Sequence, residues 1–563
     1  MKFSELAEYL EKLEGTASRL EMTRILAELF SKTGPQDARL VAYMTQGRLG
    51  PAYKSPDFGV ADKIMIRALG EGAGEVFKKS GDLGLTVEKL KLQNSNNKSK
   101  SNIKIQEVYK ILLEIARAGG EGSQELKVKL IGELVNQLSG KEAKYAVKMV
   151  LGKLRTGFSD MTVLDALSWV IGGDKKLRPE IESMYNVRAD LGEIAEEIVK
   201  HKRPRRLEPE IRTPVLMARC ERAEDAAEIW KRNGDCAVEY KLDGLRIQAH
   251  VDKSKVILFS RGLEDVTEMY PDVVGGLKKQ VKKDCIVEGE MIALGKNGKF
   301  LSFQETATRK RKYNISEMAG KTPLTIYLFD VLFVNRTNLT NRTYRERRKE
   351  LERLIGKGET VRLMPMRGVG SEIEIENFFA EAVKNGCEGV IAKKLDGVYA
   401  AGARDFNWIK YKKSYDKSAL SDTIDVVVMG YDVGQGKRAG FGIGDFLAGV
   451  YDKKLDKYLT VAKIGTGLTD EEWRRMFSSL KSLATSHKPK SYEVTKQMGC
   501  DFWVEPRLVV EIKADELTVS PMHTAGLALR FPRLISFREK KPEDATSVQE
   551  LKKLYTLQQE ARK

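Results

Sequence analysis

Between residues 236 and 251 the chain reads CAVEYKLDGLRIQAHV, with Lys241 set between Glu239 and Asp243. A lysine amine attacks an electrophilic centre only when neutral, and once it has attacked it holds the product covalently. Beyond it, Leu245, Ile247, Ala249 and Val251 alternate with Arg246, Gln248 and His250. This period of two predicts a half-buried strand entered from a turn at Asp243-Gly244, with Lys241 at its mouth. Alone, a K-x-D-G string is weak evidence, since it arises by chance in a chain of this length with a probability on the order of 0.1. A series of further strands strengthens it. IVEGEMIAL (286–294) puts Glu288 and Glu290 on one face, a costly pair of like charges unless cations or hydroxyls meet it, which points to a ribose or metal site. In NWIKYKK the side chains of Trp408, Lys410 and Lys412 share a face, and two lysines aimed at one pocket suit phosphate. Arg261 in LFSRGLEDVT, Glu388 in CEGVIAKK with Lys393 behind it, and Phe329-Asp330 in TIYLFDVLF complete the set.

The elements that must position these groups change character along the chain. Up to about residue 200 apolar residues recur at helical spacing, as in Phe3, Leu6, Leu10 and Leu13, interrupted by an exposed polar loop at QNSNNKSKSN (93–102). HKRPRRLEPEIRTP is a Pro- and Arg-rich connector, after which short alternating strands dominate. KKSYDKSALSD (412–422) reads as a hinge before a second β-rich set, which contains a helix opened by a Thr469/Glu472 capping box and ends in a polar helix opened by Ser547/Glu550. Short strands around one helix suit a small closed barrel such as an OB-fold. The boundaries follow as 1–205, 206–413 and 414–563.

With 563 residues, 42% hydrophobic and 31% charged, the chain is a multidomain globular protein rather than a disordered one. It has no run of 18 apolar residues, and its N-terminal segment MKFSELAEYLEKLEG carries acids where a secretory signal would be apolar, so neither export nor membrane insertion is expected. The expected location is the cytoplasm. The formal charge of +17 calls for a polyanionic partner, with nucleic acid ahead of a membrane surface. Five scattered cysteines and four histidines form no zinc or redox spacing.

In order along the chain, EYKLDGLR, FSRGLEDVT, VEGE, LFDVLF, EGVIAKK and WIKYKK, then LALRFPRLISFREKKPEDAT, resemble the motif series of ATP-dependent DNA ligases, especially the archaeal type. GKLRTGFSDMTVLDAL is similar to a stretch of that family's N-terminal part. The resemblance covers nearly the whole chain. It implies a multidomain α+β architecture: an all-helical DNA-binding domain, an antiparallel β-rich nucleotidyltransferase (adenylation) domain and a C-terminal OB-fold. The implied activity seals 5′-phosphate/3′-hydroxyl nicks in duplex DNA during replication, repair and recombination, through a lysyl-AMP and then an adenylated DNA. ATP and Mg²⁺ are the implied cofactors, with Mn²⁺ as a substitute.

By matching motif positions, the resemblance makes Lys241 the nucleophile, its charge disfavoured by Arg246, Arg261 and Lys410. It sets Glu239 and Phe329 against adenine. Arg261 and Glu290 face the ribose side, Glu290 and Glu388 a metal, and Arg246, Arg404, Lys410 and Lys412 phosphate. In the last motif the family runs Arg-x-Asp-Lys before a Pro-Glu-x-Ala stretch, whereas FREKKPEDAT is one residue short. Counting forward keeps Arg538 and Lys541 with Lys540 where Asp is expected, and counting back makes Lys540 the lysine and loses the arginine. The implied partner is nicked double-stranded DNA bound by a monomer with mobile domains, and a sliding clamp is a further candidate, although loop 93–102 has no aromatic pair for such a clamp to grip. The rivals are a related RNA ligase or capping enzyme and a basic DNA-binding scaffold with an idle pocket.

Overall fold

The first helix, Phe3–Glu14, buries Phe3, Leu6, Leu10 and Leu13 as their spacing predicts. The computed structural model to which it belongs describes every residue except 17, 94–100, 155, 296–297, 302, 310–313, 413–422, 435 and 561–563. The loop expected at 93–102 and the hinge at 412–422 fall largely outside the described residues. Among those described, helix follows helix to Leu191–His201, all sharing one apolar core. At its edge Glu14 accepts from Tyr145 at 3.0 Å and pairs with Lys144 at 2.8 Å and with Lys148. Burial would raise the Glu14 pKa, but these partners outweigh it and hold the carboxyl at about 2.

By contacts the chain divides into two units, Met1–Tyr411 and Lys412–Lys563. Within the first, the connector leaving the helices is fastened to them by backbone hydrogen bonds, from Ala189 N–H to the Pro214 carbonyl (3.0 Å) and from Leu216 N–H to the Asn186 carbonyl (2.8 Å). The strands that follow are β1 (Arg219–Arg222), β2 (Cys236–Lys241), β3 (Leu245–Val251), β4 (Val256–Ser260), β5 (Cys285–Ala293), β6 (Leu324–Val334), β7 (Thr337–Asn338), β8 (Val361–Leu363), β9 (Met366–Val369), β10 (Gly389–Lys394) and β11 (Arg404–Lys412). They make two sheets, β1-β11-β10-β2-β9 and β4-β3-β5-β6-β7, the latter with β8 on β6. β2 with β9 and β10, β3 with β4 and β5, and β6 with β5 and β7 pair antiparallel, whereas β1 with β11 and β6 with β8 pair in parallel. β6 is buried throughout, as its near-continuous apolar run requires of a central strand. Against β5 its register shifts between Glu288 and Gly289, leaving Phe329 as the extra residue of a bulge, a device that re-aims a side chain.

The second unit is β-rich. β12 (Ile424–Asp432), β13 (Asp445–Asp452) and β14 (Lys457–Ile464) form an antiparallel meander. Strand Val509–Lys513 pairs with β12 and with Arg533–Arg538, and helix Asp470–Lys481 packs Trp473, Met476 and Leu480 into the core. Both capping boxes read from the sequence are formed, Thr469 with Glu472 and Ser547 with Glu550.

Candidate active site

Lys241 ends β2, and the neighbouring strand supplies its partner. Gly389, the first residue of β10, lies opposite Lys241, and the Glu388 N–H donates to the Lys241 carbonyl at 2.9 Å. The Glu388 carboxylate then meets the Lys241 ammonium in a short ion pair. The turn after Lys241 depends on glycine, because a Cβ on Gly244 would lie 2.3 Å from the Met291 carbonyl oxygen of β5. That close approach brings β5 beside the lysine, with Glu290 opposite Arg246.

Charge in this cluster runs opposite to the sequence expectation. Arg246, Arg261 and Lys410 were to disfavour the Lys241 ammonium. Burial does lower its pKa, but Glu388 and Glu290 outweigh it, and the pKa stands above the ordinary lysine value. The counter-ions are carboxylates because β10 pairs with β2, while β5, paired with β3 and closely approached by the turn at Gly244, brings Glu290 beside the end of β2. Burial pushes Glu290 up to about 7 against the pull of Lys241 and Arg246. Glu288 and Glu290 do not act as one acidic pair. Glu288 is 0% exposed and bonded to Arg246 at 2.7 Å and to Gln248 at 3.0 Å, so of the two only Glu290 is part of the Lys241 cluster.

Behind the lysine, Glu239 is 1% exposed and surrounded by donors: the Tyr344 hydroxyl at 2.5 Å, Lys393 at 2.8 Å and Arg348 at 3.5 Å. Such a carboxylate is fixed as an acceptor. Phe329 lies beside it, with the Lys393 ammonium 4.8 Å and the Arg246 guanidinium 5.4 Å from its ring centroid. Trp408 meets Phe329 edge-on at 5.9 Å, and Arg246 lies 5.5 Å from Trp408. The Arg246 Nε is buried without a hydrogen-bond partner. This is an apolar, aromatic recess with cations at its rim and a fixed acceptor behind, suited to a planar base bearing donors and to an attached phosphate. Sequence reasoning missed Tyr344, Arg348 and the role of Trp408. Tyr344 and Arg348 lie on the helix Tyr344–Leu354, whose charged composition reads as a surface helix.

Lys410 and Lys412 are on β11, Lys412 buried at its end. Arg261, in the turn after β4, and Arg404, at the start of β11, are exposed. Arg538 and Lys541 belong to the second unit. There Asp425 of β12 accepts from Arg538 Nε at 3.3 Å and from Lys540 at 2.7 Å, while Lys541 is exposed. An acid from another strand thus faces the cations of the shortened motif.

Among the described residues no group of three or more His, Cys, Asp or Glu side chains gathers as a cage for a metal. Glu388 and Glu290 nevertheless offer the hard oxygen donors Mg²⁺ takes, and Mg²⁺ at nucleotide sites is ordinarily held by one or two carboxylates with phosphate and water completing the shell. The donor set fits such an ion. Among the described residues no helix is long and apolar enough to cross a membrane.

Comparison with known proteins bears on the same residues. Residues 214–412 match the family described as ATP dependent DNA ligase domain, 2–168 match DNA ligase N terminus, and 439–541 match ATP dependent DNA ligase C terminal region. Over 99% of its length the chain is 42% identical to a probable DNA ligase of Dictyoglomus turgidum, covering 97% of that protein. It is 39% identical to the DNA ligase of Hyperthermus butylicus, over 99% of this chain and 98% of that one. The solved structure "Pmar-Lig_PreS3", 18% identical, superposes with a TM-score of 0.53 over 95% of this chain and 99% of its own, a likeness of fold.

Proposed function

The chain belongs to the ATP-dependent DNA ligases, archaeal in type, and on that premise we propose that Lys241 is the residue that carries AMP. A ligase of this family uses ATP to adenylate itself, passes AMP to the 5′-phosphate of a nick, and lets the 3′-hydroxyl expel it. In the first step the Nζ lone pair of Lys241 bonds to the α-phosphorus while the bond to the pyrophosphate oxygen breaks, and pyrophosphate leaves with that electron pair. The observation that carries the assignment is Lys241 itself, ion-paired at the end of β2 beside the recess of Phe329, Trp408 and Arg246.

At rest the amine is held protonated, since Glu388 and Glu290 outweigh burial. Lys241 becomes a nucleophile once the negative charge of those two carboxylates is neutralised or turned elsewhere, because burial then acts alone and favours the neutral amine, which gives up one proton to water before it attacks and a second once the N–P bond has formed. Mg²⁺, or Mn²⁺ in its place, held by Glu388 and Glu290, would supply neutralisation of the triphosphate. Adenine would sit against Phe329, with Glu239 accepting from its exocyclic amine. Arg246, Lys410 and Lys412 would take phosphate oxygens, Arg261 and Glu290 the ribose side, and Arg404, Arg538 and Lys541 the outer phosphates. We assign residues 1–205 to DNA binding, 206–413 to adenylation and 414–563 to an OB-fold, acting as a monomer on nicked duplex in the cytoplasm, with a sliding clamp as a further partner. The net charge of +17 supports the polyanionic partner.

The test is incubation with α-labelled ATP and Mg²⁺ beside Lys241→Ala. Acid-labile label should survive denaturation on the wild type alone and chase onto nicked DNA. Equal labelling of Lys241→Ala would move the nucleophile to another residue.

A further inference from the structure

The polar face of β3, which alternation alone would leave half in water, is buried. Arg246, Gln248 and His250 project from alternate positions of β3, with Asp252 next in the row, and each bonds the connector segment 212–218. Arg246 donates to the Ala218 carbonyl at 2.8 Å. Gln248 takes both peptide groups of Val215, accepting from its N–H at 2.8 Å and donating to its carbonyl at 2.9 Å. His250 Nδ1 accepts the Arg212 N–H at 3.0 Å, and Asp252 holds the Arg212 guanidinium at 2.8 Å.

The hydrogen bonds between these side chains have one consistent direction. Because His250 Nδ1 accepts a backbone N–H, its Nε2 carries the proton and donates to Gln248 Oε1 at 2.9 Å, and burial, which lowers the imidazole pKa to about 3, keeps it neutral. Gln248 Nε2 donates its second hydrogen to Glu288 at 3.0 Å, and Arg246 donates to the other oxygen of Glu288 at 2.7 Å. All four hydrogen-bonding capacities of the Gln248 amide are used, and flipping it would oppose donor to donor and acceptor to acceptor. The Glu288 carboxylate therefore has a single orientation, and the Arg246 guanidinium is held by it on one side and by Ala218 on the other.

We propose that Gln248 is a positioning residue for the adenylation step: it fastens Glu288 to the connector and thereby sets Arg246 over the nucleotide recess. The proposal rests on the reading of Arg246 as a phosphate-facing residue. It is tested in the full-length protein by single-turnover self-adenylation with saturating α-labelled ATP, in a double-mutant cycle of Gln248→Met and Arg246→Lys. Misplacing a catalytic contact through a neighbour slows the step, and coupled residues are non-additive. Gln248→Met should slow adenylation about tenfold in the wild-type background and less than about twofold once Arg246→Lys is present. An equal loss in both backgrounds, or no loss in either, overturns the proposal, since a purely structural glutamine costs the same whatever stands at residue 246. If Arg246→Lys alone has no effect, the reading of the recess fails instead. Should Gln248→Met not fold, His250→Phe breaks the same row one step further from Arg246 and enters the same cycle: a loss that shrinks beside Arg246→Lys supports the proposal, and an equal loss overturns it.

Discussion

Removing the guanidinium of Arg347 should reverse the sign of what the Asp330 carboxyl contributes to stability as pH changes. Arg347 and Asp330 are both fully buried, joined by hydrogen bonds of 2.7 and 3.0 Å one residue from Phe329. Arg347 also donates to the carbonyls of Arg342 (2.7 Å) and Gly397 (3.2 Å). Arg347→Leu leaves a buried carboxylate without its principal partner, which costs about 3–5 kcal/mol. Of this, the two lost bonds to carbonyls account for roughly 2 kcal/mol at any pH, and the remainder belongs to the charge of Asp330. In the wild type burial would raise the Asp330 pKa, but Arg347, followed by Lys393, outweighs it and leaves it below the ordinary aspartate value. A depressed carboxyl stabilises the fold above its unfolded pKa, and that contribution is lost as pH falls through the folded value. In the variant burial is opposed mainly by Lys393, so the folded pKa moves above the unfolded one. The variant is then favoured below about pH 4 and loses stability as pH rises through the window between the two values. The gap between wild type and variant should therefore widen from acid to neutral pH. Urea unfolding followed by the fluorescence of Trp408, with the other four tryptophans replaced by phenylalanine in both proteins, at about pH 4 and about pH 7, measures both gaps. Equal gaps, or a gap under about 1 kcal/mol at neutral pH, would refute the reasoning.

Two further outcomes follow from partner geometry. Tyr344→Phe removes the donor at 2.5 Å from Glu239 while Arg348 and Lys393 remain; KM for ATP in self-adenylation should rise about three- to tenfold with the maximal rate little changed, and an unchanged KM would detach Glu239 from base recognition. Glu14→Gln in the helical part removes a carboxyl held at about 2 by Lys144, Lys148 and Tyr145 against burial. Because its side chain is 34% exposed, solvent screening limits the loss to about 1–2 kcal/mol at neutral pH. The loss is present above the ordinary glutamate pKa and disappears as pH falls towards about 2, so a loss that persists in acid would mean packing rather than charge.

The fold was legible where its causes are local. The helical spacing of Phe3, Leu6, Leu10 and Leu13, the Thr469/Glu472 box and the strand at 245–251 each need only a few neighbouring residues, and each is present, although β3 is buried on both faces from Ile247 to Val251 rather than half-buried as its alternation predicts. The site was legible in part. The ordered motif series and its family resemblance mark Lys241 and Phe329 as residues to watch, but nothing near Lys241 in sequence says that Glu388 will be its counter-ion, since that depends on β10 pairing with β2. Tyr344 and Arg348 were invisible for the same reason: a charged helix shows which residues could be wet, and only its packing under Glu239 shows which are dry. The buried side of β3 depends likewise on a connector well upstream of it.

Glu288 and Glu290 show what this means for reading chemistry from a motif. Two residues apart on β5, they look equivalent in VEGE, and each is costly if left alone. The connector reaches one of them through Gln248. Glu288 has donors on both oxygens, Gln248 on one and Arg246 on the other, and no exposure. Glu290 lies beyond that row among Lys241, Asp243 and Glu388, and its pKa is pushed up to about 7. A carboxyl poised near neutrality changes charge readily when a cation or phosphate arrives. The same pair of residue types is thus divided into a fixed strut and a responsive group by which hydrogen-bond donors the topology brings within reach. Lys241 depends on the responsive one, since part of the charge that keeps its amine protonated belongs to a group poised to lose it.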